Sequence, residues 1–522
     1  MIRQASSDDT GAARLRVWLI GLAVVLALLT GALVFRAADQ VFATPLTEDG
    51  FYSLAVARNV AAGAGITVDG RQPTNGFQPL FTFVEAGAYR LAGGDAVLAV
   101  RLVLALSWLI YLATAALIGA IAADAVPDAG PERALRRWLA SLLYAGGFLS
   151  FMHHFNALET GCVIFFYALA WRCHQLGLLE RRGGALAFGT LLGLLVLTRI
   201  DAAVFVAVVC AWQLLRGLRT APVAAFRRAF VIGAVALLIS SPWWAYNWLE
   251  FGSLMPTSGT AQQEWSLSVD RIRWVFWALG VSALPTLWLG RLDETFHDGI
   301  LLSLLRAGVI AVLGVLIARA WRRVSPIADP RTRRTLAFGG ALATAMAALA
   351  LYYGLSFIAY WFYYRYLFPV ALLATLSIAW WAAPVARRHP VVAGALVGLL
   401  CAPTLISAVM AQHGRTLHVQ TVYWEQLALI DEQVPEGAWV AAGQAGTLGY
   451  FRARTVNVDG KVNREAIPYQ THMWDYLAER DVRWFADWPF YVEKYLGADP
   501  TRHGWFQVGQ KGYWQLWQRT DP

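Results

Sequence analysis

Leu46-Thr-Glu-Asp-Gly-Phe-Tyr52 lies directly beyond a first apolar span of about 21 residues, Arg16 to Arg36. Its two adjacent carboxylates, Glu48 and Asp49, therefore stand just past a membrane face, in a chain that otherwise keeps charge away from lipid. Desolvating an ionisable pair there is costly unless something is gained, so the pair is a functional-site hypothesis.

The rest of the chain supports the membrane reading. Of 522 residues, 58% are hydrophobic and only 15% charged, with 24 tryptophans. Several apolar runs approach the ~20 residues that a helix needs to cross a bilayer. The first run is long and has no small-residue cleavage site before Thr47, so it reads as a retained anchor rather than a secretory signal. Cys162, Cys173, Cys210 and Cys401 fall in or at the edges of apolar spans, without ligand spacing or a pairing framework. They read as small buried apolar residues. The net charge of +9 does not point to nucleic acid, because arginine supplies nearly all of it and the arginines cluster between spans, as at Arg136-Arg137, Arg227-Arg228, Arg333-Arg334 and Arg387-Arg388. That is the positive-inside pattern, and it orients the chain.

Placing those loops in the cytoplasm predicts a polytopic α-helical membrane protein of about eleven transmembrane helices: 16–36, 95–122, 138–152, 159–178, 185–200, 202–216, 229–249, 299–320, 335–356, 366–385 and 391–411. The amino terminus is then cytoplasmic, and everything after His413 lies outside. Pro79 to Gly93 and Trp274 to Leu289 break the charge pattern as crossings and read as interfacial or re-entrant helices on the outer side, with a pair of extra crossings as the alternative. Residues 1–411 form the transmembrane domain, with a first outer loop over 37–94, and 412–522 form an extracytoplasmic α/β domain. The change in composition is abrupt, since all three lysines, Lys461, Lys494 and Lys511, lie in the second part. There, Trp439–Ala442, Thr455–Val458 and Trp484–Asp487 read as strands, and Gln420–Gln433 and Thr471–Arg480 as helices.

In the first outer loop, Phe51, Leu54, Ala55 and Arg58 share a face of a short amphipathic helix that would lie at the membrane interface. Gly63-Ala-Gly65 ends it; a dinucleotide reading fails because a helix precedes it and the third glycine is missing. An acidic residue just after the first span, the helix ending in Ala62-Gly-Ala-Gly65, then Asp69-Gly70 and Thr74-Asn-Gly-Phe-Gln-Pro-Leu80, together resemble the GT-C membrane glycosyltransferases. More narrowly, they resemble the bacterial members grouped with dolichyl-phosphate-mannose-type mannosyltransferases. Further segments match in order: Asn156-Ala-Leu-Glu-Thr160, Thr198-Arg-Ile-Asp-Ala202, Pro242-Trp-Trp-Ala-Tyr-Asn247, Pro256-Thr-Ser258 and Arg365-Tyr-Leu-Phe-Pro369. Gly446-Thr-Leu-Gly-Tyr-Phe451 and Asn457-Val-Asp-Gly-Lys-Val-Asn463 also resemble segments of such proteins, so the likeness covers most of the chain.

The resemblance implies a glycosyltransferase of the bacterial inner membrane that moves a sugar, with inversion, from a polyprenyl-phosphate donor to a glycan, lipid or protein acceptor on the outer face. It implies no cofactor and no nucleic-acid partner. The first-loop general base maps onto Asp49, with Glu48 the second choice. A carboxylate there accepts the hydroxyl proton as the new bond forms and steadies an oxocarbenium-like centre. The bland reading is that Asp49 caps the helix after it. A guanidinium suits the leaving phosphate because it stays charged and binds two oxygens at once. Arg365 is the first candidate and Arg199 the second. The alternatives are a snorkelling anchor for Arg365 and a structural pair with Asp201 for Arg199. Glu159, Asp201, Tyr52, Asp69 and Asn75 complete the expected substrate contacts; Glu159 could instead favour the positive pole of its helix, and Asp69 and Asn75 could simply shape turns. His153 and His154 point to different sides of a helix and lack a third ligand at suitable spacing, so no metal site is read. Two rivals stand beside the enzyme: a transporter or flippase for a lipid-linked sugar, which would carry charge near the bilayer midplane, and a non-catalytic scaffold of the same fold.

Overall fold

Helix starts and stops follow local capping. In the computed structural model, which describes residues 7–127, 130–283, 329–415 and 422–520 together with 308, 311–312, 314–315, 317–319, 321–322 and 417, α1 spans Ser7–Gly31 and α2 spans Glu48–Ala61. Thr47 caps α2, its hydroxyl accepting from the Gly50 amide at 3.2 Å. Asp95 caps α4 (Ala96–Asp124) by accepting from the Leu98 amide at 3.0 Å. Asp329 does the same for the Pro330–Ser356 helix through the Thr332 amide at 2.9 Å. Each cap satisfies an amide that the first helical turn leaves without a partner.

Seven described helices are long and apolar enough to cross a membrane: Thr10–Phe35, Ala96–Asp124, Ile200–Gly217, Pro222–Phe251, Pro330–Ser356, Val370–Arg388 and Pro390–Ala411. The chain is a membrane protein, and these seven coincide with expected spans. Three further expected spans are shorter helices: α7 (Thr160–Gln175), α8 (Gly184–Thr198), and the 138–152 stretch, which divides into α5 (Pro131–Ala145) and α6 (Phe148–Phe155). The break falls at Gly146-Gly147. A Cβ on Gly146 would meet Cys401 Sγ at 2.2 Å, so glycine there lets the Pro390–Ala411 helix approach closely. Most of the 299–320 span lies outside the described residues. The helices α9 (Ala203–Gly217) and α10 (Pro222–Phe251) complete the run as far as Gly252.

Pro79 to Gly93 contains α3 (Pro79–Leu91), whose 13 residues rise only about 20 Å, short of a ~30 Å hydrocarbon core. The Trp274–Leu289 stretch begins within a Val269–Ala283 helix; positions 284–289 lie outside the described residues. The expected interfacial helix is corrected in one respect. α2 does not lie on a surface with one apolar face. Residues 50–57 are all buried, because α3 covers one side and the Gly446–Phe451 helix covers another. Arg58, expected on the apolar face, donates to the Tyr450 carbonyl at 2.8 Å and stacks over that ring.

The carboxyl-terminal part carries a five-stranded sheet of order β2-β1-β3-β5-β4. Its strands are β1 (Val440–Ala442), β2 (Thr455–Asn457), β3 (Trp484–Asp487), β4 (Trp505–Lys511) and β5 (Trp514–Arg519). β1 pairs parallel with β2 and β3, while β5 pairs antiparallel with β3 and β4. Short helices, Gly446–Phe451 and Met473–Glu479, supply the parallel crossovers, as parallel pairing requires. The three expected strands are present to within a residue. The β4–β5 hairpin was not expected, although it brings fully buried Trp505, Trp514 and Leu516 into the core.

Candidate active site

Two neighbouring acidic residues on one helix turn cannot face the same way. Glu48 and Asp49 follow that rule and serve different surroundings. Glu48 is buried, and its carboxylate accepts from the Gly446 amide, the Thr447 amide at 2.8 Å and the Thr447 hydroxyl at 2.5 Å. Burial pushes its carboxyl up to about 7, against the opposing pull of the Thr447 and Gly446 donors. Glu48 thus latches the carboxyl-terminal part onto the first loop and does not line the cavity, which removes it as the second choice for base. Asp49 turns the other way, into a cavity of about 450 Å³. It is not the helix cap; Thr47 is.

Gly50 sets how closely this turn approaches its neighbour. A Cβ there would meet the Asn156 carbonyl at 2.2 Å, while Thr47 donates to the same oxygen at 3.2 Å. The first-loop motif is thereby pressed against Asn156-Ala-Leu-Glu-Thr160. Ala157 sits at φ 58, a left-handed conformation costing a non-glycine residue about 1–3 kcal/mol. That turn delivers Glu159 to the start of α7, where the helix dipole also favours a negative charge.

Five charged side chains then alternate along the cavity wall. Arg365 donates to Asp49 at 3.0 Å and to Glu159 at 3.3 Å. Glu159 accepts from Arg199 at 3.3 Å through the same oxygen. Arg199 closes on Asp201 with Nη2 at 2.7 Å and Nε at 3.1 Å. Tyr353 donates to Asp201 at 2.5 Å, and the Tyr366 ring lies 4.5 Å below the Arg199 guanidinium. Burial opposes the charge on Arg365, yet Glu159 and Asp49 outweigh it and hold this guanidinium above its ordinary range. Arg199 has every nitrogen engaged. Arg365 keeps Nε buried with no acceptor among the described residues.

Of the expected contacts, Asp49, Tyr52, Glu159, Arg199, Asp201 and Arg365 line this one cavity. Tyr52 also uses its hydroxyl to hold the carboxyl-terminal part, accepting from the Ala445 amide at 3.0 Å and from Asn457 at 2.9 Å. Asp69 and Asn75 lie outside the lining. Asp69 accepts from the Arg71 and Gln72 amides, both at 2.9 Å, and shapes an exposed turn. Asn75 is fully buried; it accepts from the Thr257 amide at 2.9 Å and donates to Asn247 at 3.2 Å, tying three of the sequence motifs together. His154 pairs with the Ser150 carbonyl at 2.8 Å, while His153 stacks on Tyr364, so the two rings face different partners. Among the described residues, no group of three or more His, Cys, Asp or Glu side chains is placed to hold a metal.

The sequence reading missed Lys461. It enters the cavity from the carboxyl-terminal part, on the Asp459-Gly-Lys461 turn. Its ammonium pairs with Asp459 at 3.1 Å. Burial opposes its charge, but Asp459 and then Asp49 hold it above the ordinary lysine range. The signal was present, because charge is scarce in this chain and Lys461 is one of only three lysines.

A domain family of unknown function, DUF8728, matches residues 410–520. No curated protein matches the sequence significantly. Among solved structures, ArnT from Cupriavidus metallidurans bound to undecaprenyl phosphate is 15% identical, with 96% of this chain and 97% of that one covered at a TM-score of 0.53. The Archaeoglobus fulgidus oligosaccharyltransferase in complex with zinc and sulfate is 14% identical, with 94% and 72% covered at a TM-score of 0.54. The same enzyme tethered to an acceptor peptide aligns at 13% identity and a TM-score of 0.53, over 94% and 72% of the two chains. At such identities the likeness is one of fold, and it extends over nearly the whole chain: this protein has the GT-C fold.

Proposed function

We propose that this protein transfers a sugar from a polyprenyl-phosphate donor to a glycan, lipid or protein acceptor, on the outer face of a bacterial inner membrane. In this reading residues 1–411 hold the donor lipid and 412–522 form the extracytoplasmic domain. The observation that carries it is the ladder Asp49–Arg365–Glu159–Arg199–Asp201, set in one cavity beside the first loop of a fold shared with a structure that holds undecaprenyl phosphate.

The chemistry follows from the ladder's ends. The acceptor oxygen attacks the anomeric carbon while the bond from that carbon to the phosphate oxygen breaks on the opposite face, so configuration inverts. Asp49 takes the acceptor's proton, and polyprenyl phosphate leaves with the bonding pair. Arg365, which lines the cavity and keeps N–H donors beyond those given to Asp49 and Glu159, meets the phosphate as its charge grows. Glu159 holds both guanidiniums in place, and Arg199 braces it from behind, with Asp201 and Tyr353 engaging its Nε and Nη2. The ladder's members stand in loops and at helix ends, away from the middles of the long apolar helices, which favours transfer chemistry over the transporter reading.

The test incubates the purified full-length protein with a panel of polyprenyl-phosphate sugars and measures released polyprenyl phosphate. Release from at least one sugar donor, lost in Asp49→Asn, is expected. A panel without release, from folded protein supplied with glycan, lipid and peptide acceptors, overturns the reading.

A further inference from the structure

Arg365 meets a phosphate with its charge already shared between two carboxylates, Asp49 and Glu159. Nη1 gives one hydrogen to Asp49 and Nη2 one to Glu159, and Nε is buried, so only the second hydrogens of the two Nη atoms remain for a ligand. A departing phosphate gains charge as its ester bond breaks, from one negative charge towards two. A second cation on the same wall answers that need, and the cavity contains one that is less committed than Arg199.

We propose that Lys461 of the carboxyl-terminal domain and Arg365 of the membrane domain together form the donor-phosphate site, so that the domain of unknown function completes the active centre. This inference rests on the transferase reading above. Both cations reach the same ring: the Arg365 guanidinium carbon lies 5.6 Å from the Phe362 centroid and the Lys461 ammonium 5.8 Å. An ammonium has three donors. Asp459 is the only side chain in ion-pair contact with Lys461 among the described residues, which leaves hydrogens for a ligand in the cavity. A compact ammonium and a planar guanidinium lining one cavity together suit tetrahedral phosphate oxygens better than either group alone.

The position of the lysine is built in. Asp459 accepts from the Lys461 amide at 2.9 Å, Gly460 takes φ 82, and the turn is clamped against the first loop. A Cβ on Gly76 would meet the Lys461 carbonyl at 1.9 Å, so only glycine allows the loop to come this close. On the far side, the Glu48 latch seats Gly446 and Thr447 on α2. Two separate glycine contacts, one beside Asn75 and one beside Glu48, thus bring the ammonium to the wall that holds Asp49 and Arg365.

The test measures binding of undecaprenyl phosphate and of the uncharged polyprenol to full-length protein in nanodiscs. Lys461→Met is expected to weaken undecaprenyl phosphate binding by about 10- to 100-fold while leaving polyprenol binding unchanged, the loss of one charge-assisted contact. Lys461→Arg should restore most of the difference. Because Lys461→Met strands the Asp459 carboxylate, the double variant Asp459→Asn/Lys461→Met is measured too, and should show the same loss in a protein of normal thermal stability. Asp459→Asn alone keeps the cation and should bind undecaprenyl phosphate at least as well as wild type. If wild type prefers the phosphate and both methionine variants keep that preference in full, Lys461 is not part of the site and the transferase reading stands. If wild type itself does not distinguish phosphate from polyprenol, the donor reading fails and this inference fails with it.

Discussion

Asp49→Asn separates proton acceptance from everything else the residue does. Asparagine keeps the shape and an oxygen that can still accept from Arg365, now 3.0 Å from the Asp49 carboxylate. Arg365 also keeps Glu159 at 3.3 Å, so no guanidinium is stranded. Asp49 is 28% exposed, and the pair's contribution to stability is accordingly screened, about 1 kcal/mol or less. Proton acceptance in the transition state is worth ~10²–10⁴ in rate, or about 3–5 kcal/mol of barrier. The expected variant therefore melts near wild type, binds undecaprenyl phosphate near wild type, and turns over about 10²- to 10⁴-fold more slowly at saturating donor. A quenched time course of polyprenyl phosphate release gives kcat and donor KM separately. Turnover close to wild type refutes the base assignment; an effect confined to KM recasts Asp49 as a positioner of Arg365.

Glu159→Ala removes the acceptor shared by Arg199 and Arg365 and should destabilise the protein by about 3–5 kcal/mol, seen as a lower Tm in detergent, with Glu159→Gln milder; an unchanged Tm for the alanine variant contradicts the ladder. The Glu48 latch has a pH signature. Its carboxyl rises from 4.5 in the open chain to about 7 when buried, so the folded protein holds a proton that the unfolded chain has lost. Stability should fall by about 3 kcal/mol as pH rises through that window and level off above it. Glu48→Gln should lose that share of the slope, leaving the share of buried Asp487, which burial also pushes up to about 7; denaturation profiles with the wild-type slope in Glu48→Gln refute the assignment. Gly76→Ala drives a methyl into the Lys461 carbonyl and should cost about 1–3 kcal/mol while weakening undecaprenyl phosphate binding, and a variant unchanged in both measurements contradicts the clamp.

The membrane class, seven of the long helices and the three parallel strands were legible because each depends on local pattern: apolar runs of bilayer length, loop arginines, and short β-rich segments between helices. Where local pattern was ambiguous, packing decided. Position 146 takes glycine because a Cβ there would meet Cys401, and α2 is buried on two sides because α3 covers one and the carboxyl-terminal part, nearly 400 residues later in sequence, folds back over the other. The β4–β5 hairpin escaped notice because its exposed face carries Phe506, Val508 and Tyr513, which blur the alternation of buried and exposed residues.

The sequence by itself determined a polytopic membrane chain with an acidic pair beyond its first span and a distinct carboxyl-terminal composition, since hydropathy and charge are properties of short windows. Tertiary structure alone decided which carboxylate faces the cavity, that Glu159 bridges two arginines, and that Lys461 joins them. Those choices depend on helix phase and on contacts between residues hundreds of positions apart, and no window of sequence holds both partners.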